Sequence, residues 1–390
     1  SMAFALSRSY LKDRDIHKGE YYILGLFGLL GMMIMVSAYS LLLVYLGLEL
    51  MSLAMYAMVA IHRDDIRSSE AAMKYFVLGA LASGLLLYGM SLLYGITGSL
   101  DIAVIRQAVL GGEIPKLALL MAMLFMLTGL VFKLGAAPFH MWLPDVYDGA
   151  PTAVTLYLSS APKIAALALL LRLFGDGLIG MLPDWQILMI VFAVASLFVG
   201  NVIAIAQTSF KRMLAYSTVS HVGFILLGVL SGTADGFSAA LFYTLAYGLM
   251  SLGGFGIITY LSSRGIEADQ LDDLKGLNDR SPWMAFILLV LMFSMAGIPF
   301  TLGFWAKLAV LQAVVQIDLV WLAVYAVVMS VIGAFYYLRV LKLAYFDKPL
   351  VTGMPVHTLD MRWVLNGTGI AVLVLGLYPA ALVALCAQVF

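Results

Sequence analysis

The stretch Leu117–Gly149, LALLMAMLFMLTGLVFKLGAAPFHMWLPDVYDG, is apolar enough to cross a membrane but is 33 residues long. A helix spanning ~30 Å of hydrocarbon needs roughly 20, so something must interrupt it. Gly135-Ala136-Ala137-Pro138 is the candidate, because proline removes a backbone donor and clashes with the preceding turn. Immediately before it stands Lys133. A lysine halfway along such a span does not easily snorkel, and at the bilayer centre it costs about 2.5 kcal/mol or more. It calls for a partner or an aqueous cavity. Interrupted helices are tolerated at membrane depth where they are packed in protein or line a water-filled path. The alternative is a tilt that brings Lys133 to the interface, or a lysine neutralised by burial.

The rest of the composition agrees. The chain is 63% hydrophobic and 11% charged over 390 residues, which excludes a soluble fold and indicates an all-α polytopic membrane protein. Net charge is zero and there is no basic tract, so nucleic acid is not an expected partner. A single cysteine, Cys386, rules out an iron–sulfur cluster, an internal disulfide or a cysteine-rich zinc site. With no GxGxxG after a strand and no GxxxxGK[ST], dinucleotide binding and ATP hydrolysis have no home in this chain. No metal or cofactor site is expected.

Windows of ~20 residues place spans at 21–36, 39–61, 70–96, the broken 117–149, and 151–174, then 185–207, 211–230, 236–261, a second over-long stretch 282–316, 318–345, and an eleventh at 362–389. The second over-long stretch carries AGIPFTLGFWAKLAV, with Gly297 and Pro299 as its break and Lys307 beyond. Each broken span is the fourth of a group of five. An odd number of spans inverts the second group relative to the first, which is the pattern of an inverted-topology repeat whose interrupted segments mark a transport path. The expected organisation is a loop and the tail of a preceding helix over 1–20, a first five-helix repeat over 21–174, an inverted second over 185–346, and a loop with a C-terminal helix over 347–390.

Lysines and arginines fall unequally between the two sides. Arg8, Lys12, Arg14, Lys18, Arg63, Arg67, Lys211, Arg212, Arg264, Lys275, Arg280, Arg339, Lys342, Lys348 and Arg362 lie on one; Arg106, Lys116 and Arg172 lie on the other. The positive-inside rule makes the first side cytoplasmic. Few charges then remain at membrane depth: Glu49, Lys133, Lys163 and Lys307. Lys74, one turn inside its span, is read as a snorkelling structural residue.

Glu49 is near the midplane of the second span, and a Glu49–Lys133 ion pair is the economical expectation. Lys163 lies midway along its span after Ser159, Ser160 and Pro162. A desolvated lysine can bind and release protons near neutral pH, so three such lysines and a glutamate make a proton relay. His221, in AYSTVSHVGF, is a further candidate, against the alternative of a hydrogen-bonded structural histidine. His140, Asp145 and Asp148 follow the first break and can admit protons, although loop aspartates are usually just solvated.

The segments GLVFKLGAAPFHMWLPDVYDGAPTAV, SAPKIA, KRMLAYSTVSHVGF and AGIPFTLGFWAKL resemble the antiporter-like proton-translocating membrane subunits of NADH-quinone oxidoreductase, respiratory complex I, from about Tyr21 to the end. PDVYDGAP, with Lys307 where subunit M has a glutamate, resembles the subunit N branch. Related chains occur in multisubunit sodium/proton antiporters and membrane-bound hydrogenases. The resemblance implies fourteen spans in the full fold, so three N-terminal helices lie outside this chain. It implies that Glu49 and Lys133 are the family's charged pair, Lys163 the connecting lysine and Lys307 the lysine of the second broken helix.

It also implies a subunit of an NADH:quinone reductase that translocates protons in a bacterial inner membrane, beside other antiporter-like and quinone-module subunits. NADH, FMN, iron–sulfur clusters and ubiquinone or another quinone would then be handled elsewhere in the complex. The readings left open are a sodium/proton exchanger subunit and a structural membrane subunit.

Overall fold

The computed structural model describes residues 2–112, 114–262, 266–350 and 359–390, and among them the chain is helical, without strands. Helix α1 (Met2–Asp13) is followed by α2 (Gly19–Ser37), α3 (Leu41–Val59), α4 (Ile66–Thr97), α5 (Ile102–Gly111) and α6 (Lys116–Leu134). After the first break come α7 (Trp142–Gly149), α8 (Thr152–Leu158) and α9 (Ala161–Leu170), the last continued as a π-helical stretch to Gly177. The second group is α10 (Leu182–Ile205), α11 (Phe210–Leu230), α12 (Ala234–Leu261), the short α13 (Leu277–Arg280), α14 (Pro282–Ala296), α15 (Leu302–Gln316) and α16 (Val320–Phe346). Helices α17 (Leu359–Leu377) and α18 (Ala380–Ala387) close the chain. Ten segments among the described residues are long and apolar enough to cross a membrane, and α14 with α15 makes the further, broken crossing.

Three elements depart from the sequence reading. Helix α5 was not expected; the Asp101 carboxylate caps it by accepting from the Ala103 and Val104 amides, and Ile102, Ile105 and Val109 form its buried stripe. At ten residues it is too short for the spanning window that defined the other helices. The fifth span is itself interrupted: Pro162 sits in the first turn of α9, and the Ser160 hydroxyl turns back to the Leu156 and Tyr157 carbonyls. The C-terminal span is likewise two helices, because Pro379 ends the run after Leu377.

A repeated backbone pattern relates the two groups. Ser40, before α3, pairs with Asp101, and Ser209, before α11, pairs with Gln270 as an isolated antiparallel bridge of the same kind. Helix α2 meets α3 through Gly31 and Gly47, as α10 meets α11 through Gly200 and Gly223; a Cβ on Gly31 would lie 2.5 Å from the Met51 amide, and one on Gly200 would lie 2.5 Å from the Ser220 amide. Small residues that let backbones approach are a usual membrane solution to helix packing. Helix α3 therefore corresponds to α11, and α6 to α14.

Ion-paired side chains gather at the two ends of the helices. Arg14 pairs with Glu267, and Arg212 with Asp145, at one end, whereas Arg106 pairs with Asp176 and Lys116 with Asp184 at the other. Arg264 lies outside the described residues. Lys74 is ion-paired with Glu70 at 2.8 Å and Asp145 at 3.0 Å, so Asp145 is not a merely solvated loop aspartate.

Candidate functional site

The two breaks are built alike. Gly135 and Gly297 both take left-handed backbone, with φ of 82° and 84°. The Gly135 and Ala136 amides donate to the Val131 carbonyl, and those of Gly297 and Ile298 donate to that of Phe293. This is the Schellman arrangement, in which glycine accepts the positive φ and the amides beyond it turn back on the last helical turn. The last carbonyls, Leu134 and Ala296, have no backbone partner, and an unpaired buried acceptor is unfavourable.

Each of these carbonyls accepts from a buried lysine. Lys163 Nζ donates to Leu134 O at 2.7 Å, and Lys307 Nζ donates to Ala296 O at 2.8 Å. The Lys163 ammonium also lies 5.2 Å from the centroid of the Trp142 ring, whose own indole N–H donates to Phe132 O at 2.9 Å. Lys307 has the Ser330 hydroxyl at 2.8 Å and the Phe224 ring at 5.1 Å. The helix C-terminus supplies the negative end of a dipole to each ammonium. Among the described residues neither lysine has an acidic partner within 4.0 Å.

Lys133 does not share this geometry. Alignment of the breaks puts Lys133 opposite Met295, and its ammonium points back to α3, donating to Ser52 Oγ at 2.8 Å and Tyr56 Oη at 3.4 Å. The direct Glu49–Lys133 ion pair expected from the sequence is not formed. Ser52, one turn beyond Glu49 on α3, takes the ammonium, while Glu49 Oε1 is buried without a hydrogen-bond partner. Glu49 stays within electrostatic reach of Lys133. The reason is reach: Ser52, Tyr56 and Glu49 share one face of α3, and the nearer hydroxyl intervenes.

His221, on α11, is 3% exposed and fully partnered: its Nδ1 is 2.8 Å from Tyr243 Oη and its Nε2 is 3.0 Å from Tyr337 Oη. By the correspondence of Ser40 with Ser209, His221 stands where Ser52 stands in the first group. It shares with Lys307, Ser330 and Tyr337 a polar cavity with room for about one water molecule. His140 is partly exposed beside Tyr216, its ring centroid 6.4 Å away, and Nδ1 has no partner.

Sequence reasoning placed Lys211 at the start of the span 211–230, among the cations of the lysine- and arginine-rich side, but it is 2% exposed and donates to Ala150 O at 2.6 Å, where α7 ends. It borders a charged cavity with Arg14, Asp148, Glu267 and Asp269. Burial pushes the Glu267 carboxyl upward, but the Lys211 and Arg14 cations and the Thr152 and Tyr10 hydroxyls outweigh it and hold the group below its ordinary value. The hydroxyl partners Ser52, Ser330, Tyr243 and Tyr337 were also missed; their signal was helical spacing, which apolar packing produces equally.

Residues 38–333 match the family model described as "NADH:quinone oxidoreductase/Mrp antiporter, TM". The chain belongs to this family. It is similar to NADH-quinone oxidoreductase subunit N of Thioalkalivibrio sulfidiphilus, with 61% identity over 386 residues covering 99% of this chain and 80% of that protein. The corresponding subunit of Thiobacillus denitrificans is 57% identical over 100% of this chain and 80% of its own length.

Among solved structures, a chain of respiratory complex I from Thermus thermophilus with bound aureothin superposes with a TM-score of 0.83 at 33% identity, covering 98% of this chain and 85% of that one. A chain of the Mrp complex from a Dietzia species has a TM-score of 0.86 at 23% identity over 99% and 80%, which shows the shared antiporter-like fold. Both of these chains come from structures of complexes.

Proposed function

We propose that this chain is the proton-translocating subunit N of a bacterial NADH-quinone oxidoreductase, carrying protons through Glu49, Lys133, Lys163, His221 and Lys307. The observation that carries the reading is the pair of glycine-capped helix breaks, each with a buried lysine on its last carbonyl and no acidic partner among the described residues. A buried ammonium held by neutral groups alone is retained at several kcal/mol of desolvation, which a purely structural subunit has no reason to bear. The same ammonium gives up its proton readily once the carbonyl or its surroundings move. The relatives at 61% and 57% identity are subunits N of NADH-quinone oxidoreductase, which favours a proton-coupled respiratory role over a sodium exchanger.

In this reading the two five-helix groups form two half-paths meeting near His221. The arginine- and lysine-rich end faces the cytoplasm. NADH oxidation, with FMN and iron–sulfur clusters, and quinone reduction belong to other subunits, and neighbouring antiporter-like and quinone-module subunits are the partners. A charge or conformational change delivered from a neighbour alters the field of Glu49 on Lys133, Ser52 transmits it through its hydrogen bond, and the proton moves on toward Lys163.

The test is NADH-driven proton pumping in inverted membrane vesicles for Lys133→Ala and Glu49→Ala, with a blot of the assembled complex. The expected result is full assembly with reduced pumping and coupled quinone reductase activity. Full pumping in an assembled Lys133→Ala complex would overturn the reading.

A further inference from the structure

The hydrogen bonds around His221 determine which ring nitrogen carries the proton, by a count of donors. The Tyr243 hydroxyl has one proton and, among the described residues, one partner, His221 Nδ1 at 2.8 Å. If Nδ1 were the N–H, that buried hydroxyl proton would have no acceptor, an unfavourable arrangement. Nδ1 therefore accepts, and in neutral imidazole Nε2 then donates, which it does to Tyr337 Oη at 3.0 Å.

The far side agrees with this direction. The Leu197 carbonyl only accepts, so the Asn201 amide nitrogen faces it at 2.8 Å and Oδ1 is turned to Tyr336. The Tyr336 proton is committed to that Oδ1 at 3.0 Å. The Tyr336 ring packs 4.3 Å from that of Tyr337, so with its proton spent on Asn201 the Tyr336 hydroxyl has none to give Tyr337, which accepts from His221. The Asn201 amide reaches Tyr336 because residue 333 has no side chain: a Cβ on Gly333 would lie 2.4 Å from Asn201 Oδ1.

We infer that Tyr243 and Tyr337 are the two ports of His221: a proton enters the ring at Nδ1 through Tyr243 and leaves from Nε2 through Tyr337 into the cavity that holds Lys307. Asn201 sets this polarity through Tyr336 and is a positioning residue. The inference rests on the relay reading of His221 given above. In the step, a proton arrives on Tyr243 Oη as that hydroxyl's own proton passes to Nδ1, giving imidazolium. The Nε2 proton then moves to Tyr337 Oη, which releases its own proton to a deprotonated Lys307 amine across the cavity. One proton enters, one leaves, and no electrons move. The ring is left with its proton on Nδ1 and the hydroxyl chain reversed. In that state the buried Tyr243 hydroxyl faces the Nδ1 proton and has lost its acceptor, which is unfavourable, and hydroxyl rotation with tautomer exchange restores the start.

The experiment uses the complete complex in inverted vesicles, with assembly checked by blot, and compares His221→Ala, Tyr243→Phe, Tyr337→Phe and Tyr247→Phe. Tyr247 packs its ring 5.0 Å from His221 but gives its hydroxyl to Thr218, so it controls for packing. Both port variants are expected to slow pumping about a hundredfold, the lower end for a lost proton-transfer group, while Tyr247→Phe pumps normally. In the same complex, ¹⁵N resonances of labelled histidine are expected to show His221 protonated at Nε2, and Asn201→Leu to shift the tautomer ratio about tenfold toward Nδ1.

Normal pumping in His221→Ala would remove the underlying relay reading. Loss in His221→Ala with normal pumping in either port variant would overturn the port assignment and leave the relay standing. An Nδ1-protonated wild type, or equal loss in Tyr247→Phe, would also overturn it.

Discussion

Replacing Lys163 by methionine separates transport from architecture, because the two readings of that lysine predict opposite outcomes. Methionine has nearly the same length and packs in apolar surroundings, so it fills the space against Trp142. The substitution leaves Leu134 O without its 2.7 Å donor, at a penalty of about 1–3 kcal/mol. It also removes a buried ammonium that has no acidic partner among the described residues, relieving a desolvation term of several kcal/mol. The net effect on stability is neutral or favourable.

In the relay reading, transport in contrast loses the group that receives the proton after Lys133, and a missing titratable group is not replaced by packing. The assay is proton pumping in inverted vesicles alongside thermal unfolding of the solubilised complex. The expected result is an assembled complex with an unchanged or raised Tm and pumping reduced at least about a hundredfold, the lower end for a lost proton-transfer group. A lowered Tm with pumping intact would refute the reasoning, since Lys163 would then be holding the break together rather than carrying protons.

Other expectations follow from the same geometry. Ser52→Ala removes the hydroxyl that stands between Glu49 and Lys133; pumping is expected to fall about tenfold, the value of one net hydrogen bond, and an unchanged rate would exclude Ser52 as the link. Gly297→Ala forces a Cβ to 2.8 Å from Lys307 Cδ at φ 84°, and a loss of about 1–2 kcal/mol in unfolding stability is expected, checked by Tm against Gly98→Ala, where φ is 68° and the space is open. A similar loss in both would trace to backbone strain alone.

Glu267 has its folded value held below the ordinary 4.5, so its contribution to stability is present above about pH 4.5 and disappears as the pH falls through the folded value. Glu267→Gln is expected to flatten that acidic limb of the stability profile, and an identical profile in the variant would show that the carboxylate is not linked to folding.

The sequence carried the membrane class, the order of spans and both helix breaks, because these depend on hydropathy summed over ~20 residues and on the local chemistry of glycine and proline. An apolar run containing Gly135 and Pro138 has no other way to remain in a bilayer. The sequence also brought out Lys133, Lys163, Lys307 and Glu49, since charge at membrane depth is conspicuous. Tertiary structure alone decided what those charges touch. That Ser52 intercepts Lys133, and that Lys163 and Lys307 reach equivalent carbonyls from non-equivalent helices, depends on which faces of separate helices meet. That Lys211 is buried was equally hidden, because a lysine at a helix start is ordinarily a surface residue. The tyrosines around His221 come from α12 and α16, more than twenty residues away in sequence, and nothing in their local spacing distinguishes a proton port from a packed ring.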